Sequence, residues 1–281
     1  MSPDPRVTLA RGGAAAAELE GVVRASAYLE PRARRIVRPS ANMVDKADGA
    51  SELLDQALYG EGIDVLAEEA GFAFCRSRRN GHVGFIAADA LGDPGPAPTH
   101  RVSATAAFGY AERDFKARAI GPFGLNALVC VVETDGRYMR DDRGVWFTAG
   151  HLAPIGVFER DPAAVAERFL GTPYLWGGRD GSGLDCSGLV LQALLACGIG
   201  APRDSDMQMA LGAPADPAAL RRNALVFWKG HVGMMLDPDI LLHANTHHMA
   251  VAAEPLAEAV TRIGEATSGQ PIAYRRLPSL R

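Results

Sequence analysis

Between Arg34 and Leu91 the chain runs in short apolar bursts, "RIV", "LLDQALYG", "GIDVLAEEAGFAFCRS" and "GHVGFI", broken by Gly, Asp and Asn. Phe72 and Phe74, then Val83 and Phe85, alternate with period two, the mark of half-buried strands. A small β-barrel over residues 34–97 is the expectation. After the linker "GDPGPAPTH" the same texture returns in "RVSATAAFGY", "NALVCVVETDGRYMR" and "GVWFTAGHLAPI", which predicts a second small barrel over residues 98–156. Ahead of both, residues 1–33 read as an arm with one helix, from about Ala14 to Leu29, stopped before Pro31.

Past Asp161-Pro162 the period changes. "DPAAVAERFLGTPY" places Asp161 as N-cap, Pro162 at the first helical position and Gly171 as terminator. "GGRDGSGLD" is a glycine-rich loop that leads into a helix from near Cys186 to Gly198, apolar on nearly every face and therefore buried. "NALVFW", "HVGMML", "ILLHAN", "MAVAAEPL" and "PIAYRRL" follow as strands. Helices first and strands afterwards predict an α+β domain with a mostly antiparallel sheet over residues 157–281.

The chain has 281 residues, 48% of them apolar, enough to bury sizeable cores. Its net charge of -4, from 29 basic and 33 acidic side chains, gives no reason to expect nucleic acid or a membrane surface as partner. Arg32, Arg34, Arg35 and Arg38 cluster and read as a solvated basic face. No segment reaches the length of a transmembrane helix, and the first twenty residues lack the basic-then-apolar order of a secretory signal. Cys75, Cys130, Cys186 and Cys197 show no CxxC spacing, which suits a reducing compartment, so a cytoplasmic location is expected.

A free cysteine is as a rule a small buried hydrophobe. At the first turn of a helix, however, Cys186 would sit at the positive end of the helix dipole beside unpaired N–H groups, where thiolate is favoured. Asp185 can cap that helix, Ser187 adds a second short polar side chain, and Gly188 permits close backbone approach. A nucleophile of this kind needs a base and the base an orienting partner. A hairpin centred on Asp237 sets His231 directly opposite His243, with Cβ atoms about 5 Å apart, so that one imidazole holds the other's tautomer. "HANTHH", with His243, His247 and His248, lies on strand and turn without a helical pair, a CxxC or an acidic ligand; neither a metal nor another cofactor is expected.

"GTPYLWGGRDGSGLDCSGLVLQALLACGI", "PRDSDMQ", "LVFWKGHVGMML" and "LLHAN" together resemble the NlpC/p60 family of bacterial cell-wall cysteine peptidases, whose catalytic domain is papain-like. The two preceding segments resemble the bacterial SH3-like domains of that family's recycling-type γ-D-glutamyl-L-diamino-acid endopeptidases. The resemblance implies an α+β multidomain chain, two SH3-like barrels followed by a papain-like domain. It implies Cys186 as nucleophile, His231 as general base and His243 as the residue that orients it. Asp185, Ser187, Asp204 and Ser205 match positions lining the substrate groove, and Glu61 in "LYGE" matches a glutamate that binds the substrate's free amino group. His82 stands in "NGHVGFI" where members carry Tyr at a substrate contact, and Asn223-Ala224 replaces their usual Gly-Asp. The implied partner is a murein peptide, L-Ala-γ-D-Glu-diamino acid with a free N-terminus, cut at the γ-D-glutamyl bond during wall-peptide recycling. Two other functions remain open from the residues alone: a non-catalytic binder of murein fragments, and a papain-like amidase or acyltransferase acting on another amide.

Overall fold

The computed structural model describes residues 3–48, 50–266 and 269–278. The chain forms two compact units, Met1–Ile155 and Gly156–Arg281. In the first, seven antiparallel strands lie in the spatial order Leu91–Gly92, Arg32–Ile36, Gly62–Glu69, Phe72–Ser77, Val83–Ala87, Ser40–Val44 and Leu53–Leu58. Their inward residues, Ile36, Met43, Ile63, Val65, Cys75 and Ile86, make one core. After the proline-rich linker, a five-stranded and a three-stranded sheet follow. They enclose Val102, Val129, Phe123 and Phe147, and Leu58 and Tyr59 of the preceding half join the same cluster. The ring of Phe123 lies 5.0 Å from that of Tyr59 and 4.9 Å from that of Phe147. The linker therefore separates two sets of sheets and not two compact units. Arg32, Arg34, Arg35 and Arg38 pair with Glu68, Asp93, Asp142 and Asp89 in turn, so the basic cluster is neutralised by acids distant in sequence.

The helix expected between Ala14 and Leu29 does not form. Ala14–Ala16 is a strand, antiparallel to Ala10–Arg11 and parallel to Ala27–Leu29, and a 3-10 turn spans Ala17–Leu19. The alanines favour a helix in isolation, by only a few tenths of a kcal/mol per residue. Tertiary packing outweighs that: Ala15 and Ala16 are fully buried, and Leu9 and Ala16 pack with Val44, Phe74, Val83 and Phe85.

In the second unit, α1 (Pro162–Glu167) begins where expected, with the Asp161 carboxylate accepting from the Ala163 N–H. Helix α2 (Cys186–Ala196) is buried along nearly its whole length. A one-turn helix, α3 (Ser205–Gln208), follows. The antiparallel sheet runs Ala213–Pro214, Ala273–Arg276, Leu225–Trp228, His231–Met235, Ile240–Asn245 and Ala250–Pro255. The last two strands read from the sequence are not consecutive, because α4 (Leu256–Ala266) lies between them. Ala259 and Ile263, one turn apart, pack on Val226, Trp228, Met235 and Leu241. A helix therefore interrupts the run of strands in sequence, which corrects the helices-then-strands order.

Candidate active site

A short hairpin, Arg179–Asp180 with Gly183–Leu184, delivers the chain to the start of α2. Asp185 keeps an extended backbone as N-cap, and its Oδ1 accepts from the Gly188 N–H at 2.7 Å and from Ser187 Oγ at 3.2 Å. Its Oδ2 accepts from the Gly177 N–H at 2.9 Å. Arg203, only 1% exposed, donates to both oxygens at 3.0 and 2.6 Å and to Ser187 Oγ at 2.8 Å. Gln208 Nε2 donates to the carbonyls of Ser187 and Pro202 at 3.0 and 2.9 Å. The segment around α3 is thus fastened to the helix start. A Cβ on Gly188 would lie 2.2 Å from the Gly178 carbonyl oxygen, so only glycine lets the loop lie against that turn. Asp185 and Ser187 are engaged with one another and with Arg203, at the turn that carries Cys186. Arg203 escaped the sequence reading, since nothing in its local pattern marks a charged residue for burial.

The two histidines meet, by a geometry other than the one expected. Met234 pairs with Leu242 and Met235 with Leu241, so the hairpin is centred on Pro238 and not on Asp237. The Asp237 carboxylate accepts from the N–H groups of Asp239 and Ile240, both at 2.8 Å, and the turn closes from Leu236 to Ile240. That shift makes His231 and His243 diagonal neighbours instead of opposed ones. Across from His243 only glycine fits at position 233: a Cβ there would lie 2.7 Å from Leu241 Cδ1 and 3.2 Å from His243 Cβ. His231 Nε2 and His243 Nδ1 stand 2.7 Å apart, with ring centroids at 5.0 Å. On its far side, His243 Nε2 is 2.7 Å from Glu254 Oε1, which also accepts from Arg262 of α4. Glu254 was not among the residues read as functional. Its only sequence signal is a single acid in the apolar stretch "MAVAAEPL", two places beyond Ala252, the partner of His243.

Burial pushes the Cys186 thiol up to about 12, and the Asp185 charge adds to this; the N–H groups of Val232 and Ser187 and the Arg203 cation pull the other way. The thiol is therefore protonated at rest, against the expectation from its helix position. Burial, aided by His243 and Arg262, pushes His231 down to about 3. His243 is lowered too, again by burial first, despite its bond to Glu254. Burial alone would raise Glu254, but the bond from His243 and the charges of His243 and Arg262 bring it below the usual carboxylate value. The resting site is a neutral thiol, two neutral imidazoles and one ionised carboxylate. A neutral imidazole can take the thiol proton, which is what a nucleophile of ordinary or raised pKa requires. Tyr174 faces Cys186 and Asp185, and burial first, then the nearness of these two acidic groups, pushes its phenol up.

Asp204 takes the N-cap position of α3 without its carboxylate capping the turn, and Ser205 is the first residue of that helix. Asn223 occupies a left-handed backbone position (φ 71), which suits Asn, and its Oδ1 accepts from the Ala163 N–H at 2.7 Å. Glu61 and His82 belong to the first unit. Glu61 is 1% exposed, its Oε2 accepting from the Leu58 N–H at 3.0 Å and its Oε1 from Arg79 at 3.1 Å. His82 is buried, and its backbone N–H donates to Asn80 Oδ1 at 3.1 Å. The Glu61 carboxylate is thus engaged within that unit.

Residues 171–262 match the NlpC/P60 family, and residues 43–91 match the bacterial dipeptidyl-peptidase SH3 domain. The γ-D-glutamyl-L-lysine dipeptidyl-peptidase of Bacillus cereus is 30% identical over 127 residues, covering 42% of this chain and 38% of the relative. Its Bacillus subtilis counterpart is 33% identical over 100 residues, covering 33% of this chain and 34% of that one. The aligned part thus spans less than two fifths of either relative. The crystal structure of an NlpC/P60 family protein from Bacillus cereus superposes with a TM-score of 0.75 at 20% identity, over 89% of this chain and 100% of that one. An NlpC/P60 endopeptidase from Photobacterium damselae gives a TM-score of 0.60 at 12% identity, over 87% and 72% of the two chains. The likeness in both is one of fold.

Proposed function

We propose, from the premise that this chain carries an NlpC/P60 peptidase domain and a bacterial SH3 domain, that it is a cysteine peptidase of murein peptides. The observation that carries the proposal is the line His231, His243 and Glu254, joined by two contacts of 2.7 Å, which starts on the strand whose Val232 N–H meets the Cys186 thiol at the buried helix start. Cys186 Sγ attacks the carbonyl carbon of the γ-D-glutamyl bond while its proton passes to His231. The Cys186 backbone N–H, at the open end of α2, helps to hold the oxyanion. The C–N bond breaks as His231 returns the proton to the departing amine. Water, deprotonated by the same imidazole, then cleaves the thioester and restores the thiol. His243 keeps the imidazole in place throughout.

The proposed substrate is L-Ala-γ-D-Glu linked to a diamino acid, processed during wall-peptide recycling in the cytoplasm; the free state of all four cysteines agrees with a reducing compartment. Selection for an unblocked N-terminus forms part of the proposal. A desolvated ammonium needs a carboxylate, and Asp204 and Glu61 are the two offered by the resemblance. Incubation with L-Ala-γ-D-Glu-diaminopimelate and with the lysine peptide is expected to release L-Ala-γ-D-Glu. Cys186→Ala abolishes that release, and turnover persisting in this variant would sink the mechanism. N-acetylation of the peptide should suppress cleavage, and Asp204→Asn or Glu61→Gln should narrow the preference for free over acetylated peptide.

A further inference from the structure

The line of side chains that begins at His231 continues past His243. Glu254 Oε1 lies 2.7 Å from His243 Nε2 and accepts from Arg262 as well. An ionised carboxylate can only accept hydrogen bonds. Its contact with His243 Nε2 therefore requires the hydrogen on that nitrogen, which leaves neutral His243 with a bare lone pair at Nδ1. That lone pair stands 2.7 Å from His231 Nε2, so this nitrogen carries a hydrogen in turn. The fourth nitrogen, Nδ1 of His231, is then also without a proton, and it is the one left to take the proton of Cys186.

We infer that Glu254, anchored by Arg262, is the positioning residue that sets the tautomers of both histidines and thereby makes His231 Nδ1 the base. The direction of the line is fixed at its far end, by the one member that cannot donate. A second proton on His243 would turn its Nδ1 into a donor, force the hydrogen of His231 onto Nδ1 and remove the base. Among the described residues, the charged and titratable groups that act on this pair are Glu254 of the last strand before α4, Arg262 of α4, and His248 of the turn after Asn245. Arg262 and His248 both act against that second proton. The inference rests on the peptidase reading only for its kinetic readout.

The test is carried out on the full chain labelled with 15N in its histidines. Two-bond proton–nitrogen correlations at neutral pH should show both His231 and His243 protonated at Nε2 and bare at Nδ1. In Glu254→Ala both rings should become mixtures of tautomers. In the same variant kcat should fall on the order of 100-fold, with KM within about twofold of wild type. Glu254→Gln, which keeps an oxygen for both donors without the charge, should recover most of that loss. Alkylation of Cys186 by iodoacetamide, mapped by mass spectrometry, should slow in Glu254→Ala in parallel with kcat. A hydrogen on Nδ1 of either ring in the wild type overturns the inference, as does a folded Glu254→Ala with unchanged kcat and unchanged alkylation. If the wild type cleaves no murein peptide while tautomers and alkylation behave as stated, the substrate reading fails and the positioning role stands.

Discussion

A thiol at the first turn of a helix feels the helix dipole and the loss of water in opposite senses. The dipole supplies up to about 2 kcal/mol, roughly one and a half pKa units. Full burial shifts a group by as much as about 3 to 5 units. Burial is the larger effect at Cys186, and it acts on His231 with the opposite sign, so the resting pair is neutral. The pH profile follows from this. The acid limb of kcat/KM should fall below the ordinary histidine value near 6.5 and the basic limb above the ordinary thiol value near 8.5, giving a plateau wider than unperturbed groups would allow. Limbs at the ordinary values would contradict the neutral pair. Stability should respond as well. Between the folded value of His231, about 3, and its unfolded value the unfolded chain binds more protons, so stability is complete above pH 6.5 and is lost as pH falls from there. Urea midpoints measured from pH 7 to 4 should drop less steeply in His231→Gln than in the wild type. Arg203 makes a separate point at this scale. Removing it leaves the Asp185 carboxylate buried without its cation, so Arg203→Leu should cost about 3 to 5 kcal/mol in denaturant titration.

Among the elements, α4 has two tasks: it covers one face of the sheet with Ala259 and Ile263, and it carries Arg262 to Glu254. Ile263→Ala should destabilise by about 2 to 5 kcal/mol through the cavity it leaves, and because Ile263 adjoins Arg262 it should also lower kcat at temperatures where the variant is folded. A stability loss with kcat unchanged would detach the helix from the site. This helix escaped the sequence reading because Ala252, Ala253, Pro255 and Leu256 continue the apolar texture of the strand before it and blur the junction. The hairpin between the histidines shows a related limit. Its strands and both histidines are readable from alternation, yet the register depends on how the Asp237 side chain closes the turn: moving the turn centre by one residue shifts the pairing by two and leaves every face unchanged. Alternation reports which face a side chain takes and not which residue it meets across the ladder.

At the scale of the whole molecule, each of the two units encloses cores of its own. Residues 156–281 expressed alone should therefore fold, with the near-ultraviolet dichroism of the buried Trp228 intact, and a fragment without fixed tertiary packing would overturn this. What the sequence by itself determined was set by neighbours along the chain. The strand alternation around Phe72–Phe85, the caps Asp161 and Asp185, the uniformly apolar helix after Cys186, and the order Cys186, His231, His243 all depend on residues a few places apart. Only the tertiary structure decided that Ala14–Ala16 is a strand, that the histidines meet on the diagonal, that Arg203 and Glu254 flank the site, and that Cys186 rests as a thiol. Each of these depends on burial or on a partner far away in sequence, and loss of water acts on a group only once the chain has closed around it.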